Sequence, residues 1–101
     1  AISSITFAEL QFGVAKSGRP AQNALMLAQF CAPILILPFD NRAATTYGEV
    51  RAKLEQAGTP IGSLDTLIAA HALSRDLVLV TNNQREFRRV KGLTVENWLT
   101  A

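Results

Sequence analysis

The sequence is poor in the residues that build disulfide or zinc frameworks, with one cysteine and one histidine among 101 residues. A lone Cys31 cannot form an internal disulfide, and it has no Cys or His partner set for a zinc site. No apolar run approaches the roughly 20 residues that a membrane span needs. The longest candidate, from Leu64 to Leu73, contains Asp65 and His71 and is typical of a buried helix. We therefore expect a protein of a reducing cytoplasm, without a membrane segment.

Charge is also modest, since ten Lys and Arg residues against eight Asp and Glu residues give a net charge of +2. This mild excess is compatible with a nucleic-acid substrate but does not require one. Hydrophobic residues make up 49% of the chain. That fraction is enough for a buried core and too high for a disordered chain. A chain of this length forms one domain, which we place at residues 1–101.

Short aliphatic runs alternate with amphipathic stretches along the chain. A third helix capped by Asp40 or Asn41 is indicated by apolar residues at helical spacing from Ala43 to Leu54. Alternating strands and helices favour parallel strands joined by helical crossovers. We predict an α/β fold of three layers, α/β/α, around a central parallel sheet. The predicted strands are Ile2–Thr6, Ile34–Leu37, Leu77–Val80 and Leu93–Val95. Besides the third helix, the predicted helices are Phe7–Ser17, Ala21–Ala32, Ser63–Ser74 and Asn83–Arg89.

Three acidic residues stand near predicted strand ends or helix starts. Glu9 follows the first strand, Glu86 follows the strand that ends at Val80, and Asp65 follows a predicted cap at Ser63. Each also has an ordinary interpretation at a helix start. Thr6 and Glu9 have the spacing of a capping box, Asn83 and Glu86 have a similar spacing, and the helix dipole favours Asp65. Helix caps have no reason to converge, however. Sites in parallel sheets lie at the carboxyl ends of the strands, where these acids would meet.

Converging carboxylates repel one another unless a cation lies between them. Mg²⁺ or Mn²⁺ is the natural occupant, because hard cations prefer carboxylate oxygens and water. Such a site can polarise a phosphodiester and activate water to attack it. We therefore predict Glu9, Asp65 and Glu86 as metal-site residues.

Other polar and apolar residues admit two interpretations each. His71 lies on an apolar helix, and we expect a core or partner-facing residue there rather than a catalytic base. Met26 and Phe30 belong either to the core or, if exposed, to a groove for a partner helix. A basic group near Glu86 is either a solvated face or a contact for RNA phosphates. That group consists of Arg85, Arg88, Arg89 and Lys91.

Four stretches together resemble the PIN-domain family and, within it, the VapC toxins of bacterial toxin–antitoxin pairs. They cover nearly the whole chain, in order and with family-like spacing, and are weakly specific one by one. The four are Ile5–Leu10, Pro60–Ala72, Leu79–Phe87 and the tail Arg89–Trp98.

The resemblance implies a Mg²⁺- or Mn²⁺-dependent endoribonuclease that acts on RNA, often tRNA, with the initiator tRNA anticodon loop as the expected target. It also implies a VapB-type antitoxin as partner and a homodimer. Mapped onto this sequence, Glu9 and Asp65 are metal-site acids and Glu86 is the late acid. Asn83 is the catalytic polar residue beside Glu86, and Thr81 orients that corner by hydrogen bonding. Arg85, Arg88 and Arg89 are the expected substrate-binding residues.

The sequence departs from the family pattern at two places. No residue corresponds to the first catalytic Asp or to the first strand of the family, so we expect a segment of the domain to be missing. Asn82 and Asn83 also stand where some PIN domains have Asp, which predicts weak metal binding. A catalytically inactive PIN-like module that binds an antitoxin is therefore the alternative. A phosphoacceptor receiver domain fits less well, because Asp65 lies within a helical turn and no predicted strand ends in Lys.

Overall fold

The computed structural model describes residues 1–97, so the prediction for the tail at Trp98 lies outside the described residues. The chain divides into two compact units, Ala1–Pro38 and Phe39–Ala101. Each unit contains its own pair of parallel strands. The predicted parallel direction is confirmed within each pair.

The first unit contains two helices and one pair of short strands. Strand β1 (Ile2–Ser3) pairs with β2 (Ile36–Leu37), and the helices are α1 (Ser4–Ala15) and α2 (Pro20–Cys31). Pro20 occupies the first turn of α2, as predicted, because proline lacks the N–H that a first turn leaves unpaired.

The prediction of a strand from Ile2 to Thr6 is wrong beyond Ser3. The Ser3 hydroxyl accepts a hydrogen bond from the backbone N–H of Ile5 at 3.1 Å, and this cap starts α1 three residues earlier than the sequence indicated. Thr6 therefore lies inside the helix, and the alternative interpretation of Thr6 and Glu9 as a capping box is wrong. Glu9 is exposed on α1 beyond its first turn.

The second unit contains three helices and the other strand pair. Strands β3 (Leu79–Val80) and β4 (Val95–Glu96) are parallel, with Leu79 opposite Val95. Both are shorter than predicted, and β4 extends one residue further along the chain. The helices of this unit are α3 (Asn41–Gln56), α4 (Ser63–Ser74) and α5 (Gln84–Phe87).

Helix α3 confirms the pattern read from the sequence. Asp40 is its cap, with Oδ1 accepting from the N–H of Ala43 at 3.0 Å. The apolar stripe faces the interior, since Ala43, Val50 and Leu54 are all buried. Helical spacing places these residues on one face, so the amphipathic pattern correctly identified the packed side.

The core of the second unit lies between α3, α4 and the segment that follows β3. Its buried apolar residues are Val50, Leu54, Ala69, Ala70, Phe87 and Val90. His71 is only 2% exposed and its ring meets that of Phe39 edge to face, with centroids 5.4 Å apart. This placement confirms His71 as a core residue.

In residues 1–97, hydrogen bonds pair the strands two by two, and the structure shows two short parallel sheets where one central sheet was predicted. No helix in this part of the chain has the length and apolar character that crossing a membrane requires.

Candidate functional site

Asp65 lies in the first turn of α4, which begins differently from the prediction. The cap is Gly62 rather than Ser63, and Ser63 is the first helical residue. The Gly62 carbonyl accepts from the N–H of Thr66 at 2.9 Å and from its hydroxyl at 2.8 Å. A Cβ placed on Gly62 would stand 3.7 Å from Oδ2 of Asp65. The loop backbone at Gly62 therefore borders the carboxylate.

Asn83 brings Asp65 and Glu86 together. Its Nδ2 is 3.5 Å from Oδ2 of Asp65 and 3.5 Å from Oε2 of Glu86. The backbone N–H of Asn83 donates to the hydroxyl of Thr81 at 3.0 Å, which fixes the turn after β3. Asn83 precedes α5, yet its side chain makes no capping bond. Asn83 therefore does not cap α5 through its side chain, because the amide turns toward the two carboxylates.

The two carboxylates influence each other electrostatically. Burial raises the pKa of Asp65, and the hydrogen bond and negative charge of Glu86 raise it further. A raised carboxyl pKa means that the ionised form is disfavoured where it stands. Paired carboxylate oxygens are the ligands that a hard divalent cation prefers, and a cation would offset their repulsion. The donor set of Asp65 and Glu86 thus fits a divalent ion.

The structure assembles part of the predicted site. Asp65, Asn83, Glu86 and Thr81 meet within the second unit, whereas Glu9 belongs to the first. In the described part of the second unit, no third Asp, Glu, His or Cys joins the acidic pair in a set that could hold a metal ion. The role of Glu9 as a ligand stays a prediction.

The basic residues after β3 differ in what they contact. Arg85, Arg88 and Arg89 are all exposed. Within residues 1–97, Arg89 alone of these three donates a side-chain hydrogen bond, from Nη1 to the backbone carbonyl of Pro60 at 3.0 Å. The sequence had grouped these arginines together, and it carried no sign that one of them binds the loop before α4.

Gly62 and Pro60 belong to the stretch Pro60–Ala72 that carries the resemblance, but neither was predicted as a site residue. Gly62 offered one sequence signal, since a glycine immediately before Ser63 can serve as a helix cap. The Pro60 contact offered none, because a backbone carbonyl has the same chemistry at every position. A groove of about 360 Å³ lies beside α3 and is lined by residues such as Val50 and Lys53. None of the acidic-site residues lines it, so the site and this groove are different features.

Parallel strands, flanking helices and a carboxylate pair at a helix start define an α/β domain with an acidic site suited to a divalent ion. A comparison with known families matches residues 1–93 to the PIN domain. The chain therefore belongs to the PIN-domain family.

Relatives with known names are similar over almost the whole chain. The tRNA(fMet)-specific endonuclease VapC of Shigella flexneri is 47% identical over 97 residues, which are 96% of this chain and 74% of that protein. Ribonuclease VapC2 of Rickettsia felis is 48% identical over 98 residues, 97% of this chain and 73% of that protein.

Solved structures agree with these sequence matches. VapBC2 from Rickettsia felis, bound to a DNA fragment from its promoter, gives a TM-score of 0.93 at 48% identity and covers 97% of this chain and 74% of that one. DNA-bound VapBC from Salmonella typhimurium also gives 0.93, at 46% identity over 96% of this chain and 74% of that one. At this similarity the overall PIN fold predicted from the sequence is confirmed.

Proposed function

We propose that this protein is the toxin of a VapBC-type toxin–antitoxin pair and a divalent-metal-dependent endoribonuclease. The observation that carries the proposal is the arrangement of Asp65, Asn83 and Glu86, with the Asn83 amide 3.5 Å from each carboxylate. The raised pKa of Asp65 marks it as a group whose ionised form a cation would stabilise. A Mg²⁺ or Mn²⁺ ion supplies charge neutralisation at a phosphodiester and activation of water in such a site.

The chain's own residues have separate tasks in this proposal. Asp65 and Glu86 would hold the ion through their carboxylates, and Glu9 stays a metal ligand predicted from the sequence alone. The side-chain amide of Asn83 lies within hydrogen-bond distance of both acids and orients their carboxylates. Thr81 holds the backbone of Asn83 in place through its hydroxyl. No nucleophilic Ser or Cys is needed, because water is the attacking group.

We propose an RNA substrate, with the anticodon loop of initiator tRNA as the target. The relative from Shigella flexneri is named for tRNA(fMet), and it shares 47% of the aligned residues. Arg85 and Arg88 are exposed beside Glu86, where their charge can contact the phosphates that flank the cleaved bond.

We propose a VapB-type antitoxin as the partner, and a homodimer as the assembled toxin. Met26 is 58% exposed and Phe30 is 63% exposed. Their spacing of four residues places both on one face of α2, the arrangement that an amphipathic partner helix contacts. Their exposure favours the groove interpretation over core packing. The two relatives of known structure cited above are both VapBC complexes. The single Cys31 and the family assignment also support a cytoplasmic location.

The decisive experiment is cleavage of purified initiator tRNA by the purified protein, with and without Mg²⁺ or Mn²⁺. An elongator tRNA is the substrate control, and Asp76→Asn is the matched control for Asp65→Asn, because Asp76 is an exposed acid outside the site. Metal-dependent cleavage by the parent and by Asp76→Asn, but not by Asp65→Asn, supports the proposal. Equal rates for parent and Asp65→Asn contradict it.

A second candidate is a catalytically inactive module that acts by binding an antitoxin. It is favoured by the amide at Asn83 and by the acidic pair that no third ligand completes in the described part of the second unit. Antitoxin binding that persists in a protein without metal-dependent cleavage identifies this candidate.

A further inference from the structure

Two segments of the second unit contact each other at two points. At one point, Nδ2 of Asn83 is 3.5 Å from Oδ2 of Asp65. At the other, Nη1 of Arg89 is 3.0 Å from the carbonyl oxygen of Pro60. The segment from residue 60 to residue 65 is thus linked at both of its ends to the segment from residue 83 to residue 89. The acidic site lies at one of these links, and Arg89 forms the other.

The backbone that carries Arg89 is firmly held. Its N–H donates to the carbonyl of Glu86 at 3.0 Å, which continues the turn of α5. Phe87 and Val90, on either side of it, are each only 4% exposed in the core. The guanidinium therefore extends toward the loop from a fixed base, rather than from a mobile surface turn.

The loop that Arg89 contacts is held by hydrogen bonds at both ends and by Ile61, which packs against the core. Its start is held by the N–H of Thr59, which donates to Leu54 at 2.9 Å, and its end by the Gly62 carbonyl, which accepts from Thr66. Pro60 lacks an N–H. Within residues 1–97, its carbonyl receives the Arg89 hydrogen bond and no backbone one. Restraining a loop costs conformational entropy, and this contact supplies a cross-link at its middle.

We propose that Arg89 is a positioning residue for the acidic site, because its bond to Pro60 holds the loop before Asp65 against the segment that carries Asn83 and Glu86. The effect of Arg89 on RNA cleavage rests on the nuclease function proposed above. Both Arg88 and Arg89 are exposed, but within the described residues the Arg88 side chain makes no hydrogen bond or ion pair, whereas Arg89 bonds to Pro60. Arg88 is left available for a phosphate, whereas Arg89 is engaged by the protein itself.

The test compares Arg89→Ala with Arg88→Ala, its neighbour of the same charge. Amide NMR spectra of the metal-free, RNA-free protein report the loop position directly. We expect Arg89→Ala to shift the amide signals of Gly62, Asp65 and Asn83, and Arg88→Ala to leave them in place. In tRNA cleavage, Arg89→Ala lowers kcat by about 10- to 100-fold with KM and salt dependence unchanged, because small displacements of reacting groups are costly. Arg88→Ala weakens binding and flattens the salt dependence instead.

Arg89→Lys keeps the charge and loses the geometry of the guanidinium. We expect it to retain the salt dependence of the parent while moving the amides of Gly62 and Asp65. If Arg89→Ala does not fold, this variant decides alone. The proposal is overturned if the amide signals of Gly62 and Asp65 do not move in Arg89→Lys. It is also overturned if these signals stay in place in Arg89→Ala while the salt dependence flattens. In either case Arg89 is a phosphate contact. A parent that cleaves no RNA would defeat the proposed function, and the amide comparison would still decide the role of Arg89.

Discussion

The side-chain amide nitrogen of Asn83 lies 3.5 Å from Oδ2 of Asp65, 18 positions earlier in the chain. The same nitrogen is equally far from Oε2 of Glu86, so one amide stands between two carboxylates. Both distances are at the long end for a hydrogen bond, and the amide offsets only part of the repulsion between the acids. The site therefore retains an uncompensated negative charge, which makes its response to pH, to added charge and to cations measurable.

The first prediction concerns the cost of ionising Asp65. Its pKa in the folded protein is raised above the ordinary 3.8, so the folded chain holds this proton more tightly than the unfolded chain. Stability from this group is therefore greatest at low pH and falls as pH rises from 3.8 through the raised value. We expect Asp65→Asn to melt at a higher temperature than the parent at pH 7, and to lack that part of the pH dependence.

Thermal unfolding between pH 3 and pH 8, in the absence of divalent ions, measures this effect. Asp76→Asn is the control, since Asp76 has positive φ, which Asn tolerates, and is exposed outside the site. A lower melting temperature for Asp65→Asn at pH 7 than for the parent would contradict the prediction.

The second prediction adds a carboxylate to the site. We expect Asn83→Asp to destabilise the metal-free protein at neutral pH, because three negative groups then meet where two already repel. The same change should tighten Mg²⁺ binding by about tenfold or more, since each added charge near the ion contributes Coulomb attraction.

Melting temperatures with and without Mg²⁺ test this expectation, because an ion that binds only the folded state raises stability with its concentration. Asn82→Asp is a matched control that adds the same charge one residue away. An equal Mg²⁺ response in Asn82→Asp and Asn83→Asp would show a general surface effect and remove Asn83 from the ion site.

The third prediction concerns the exposed arginines beside Glu86. We expect Arg85→Ala and Arg88→Ala each to reduce the salt dependence of tRNA binding, by about one in the slope of log K against log salt. Arg19→Ala in the first unit removes the same charge from an exposed side chain and should leave the slope unchanged. Binding isotherms at several salt concentrations give the slopes. If the slope does not change in Arg85→Ala and Arg88→Ala, these residues form an ordinary solvated face.

The fourth prediction concerns the packing that holds α5. Phe87 follows Glu86 directly and is 4% exposed in the core cluster. We expect Phe87→Ala to lower the free energy of unfolding by about 3–5 kcal/mol, because it removes buried surface and leaves a cavity. Leu77→Ala should change it by less than about 0.5 kcal/mol, since Leu77 is 43% exposed. Urea denaturation measures both, and similar losses in the two variants would mean that Phe87 does not anchor this helix.

Local patterns were sufficient to locate the longer elements of the fold. The apolar stripe of α3 and the Pro20 start of α2 depend on residues close in sequence, and both were predicted correctly, as was the cap of α3 to within the two candidates Asp40 and Asn41. The strand limits were less accurate. The Ser3 cap ended β1 early, and the remaining strands were shortened because pairing depends on partners far along the chain.

The acidic residues could likewise be recognised one at a time, because Asp65 and Glu86 stand at helix starts that the sequence marks. That Asp65 and Glu86 contact each other could not be predicted from the local sequence. It requires α4 and α5 to pack on one core, and it shows Asn83 turned toward the acids rather than capping its helix. Arg89 is the clearest case: nothing local distinguishes it from Arg88, and only the folded chain brings the Pro60 carbonyl, 29 positions away, within reach of its guanidinium.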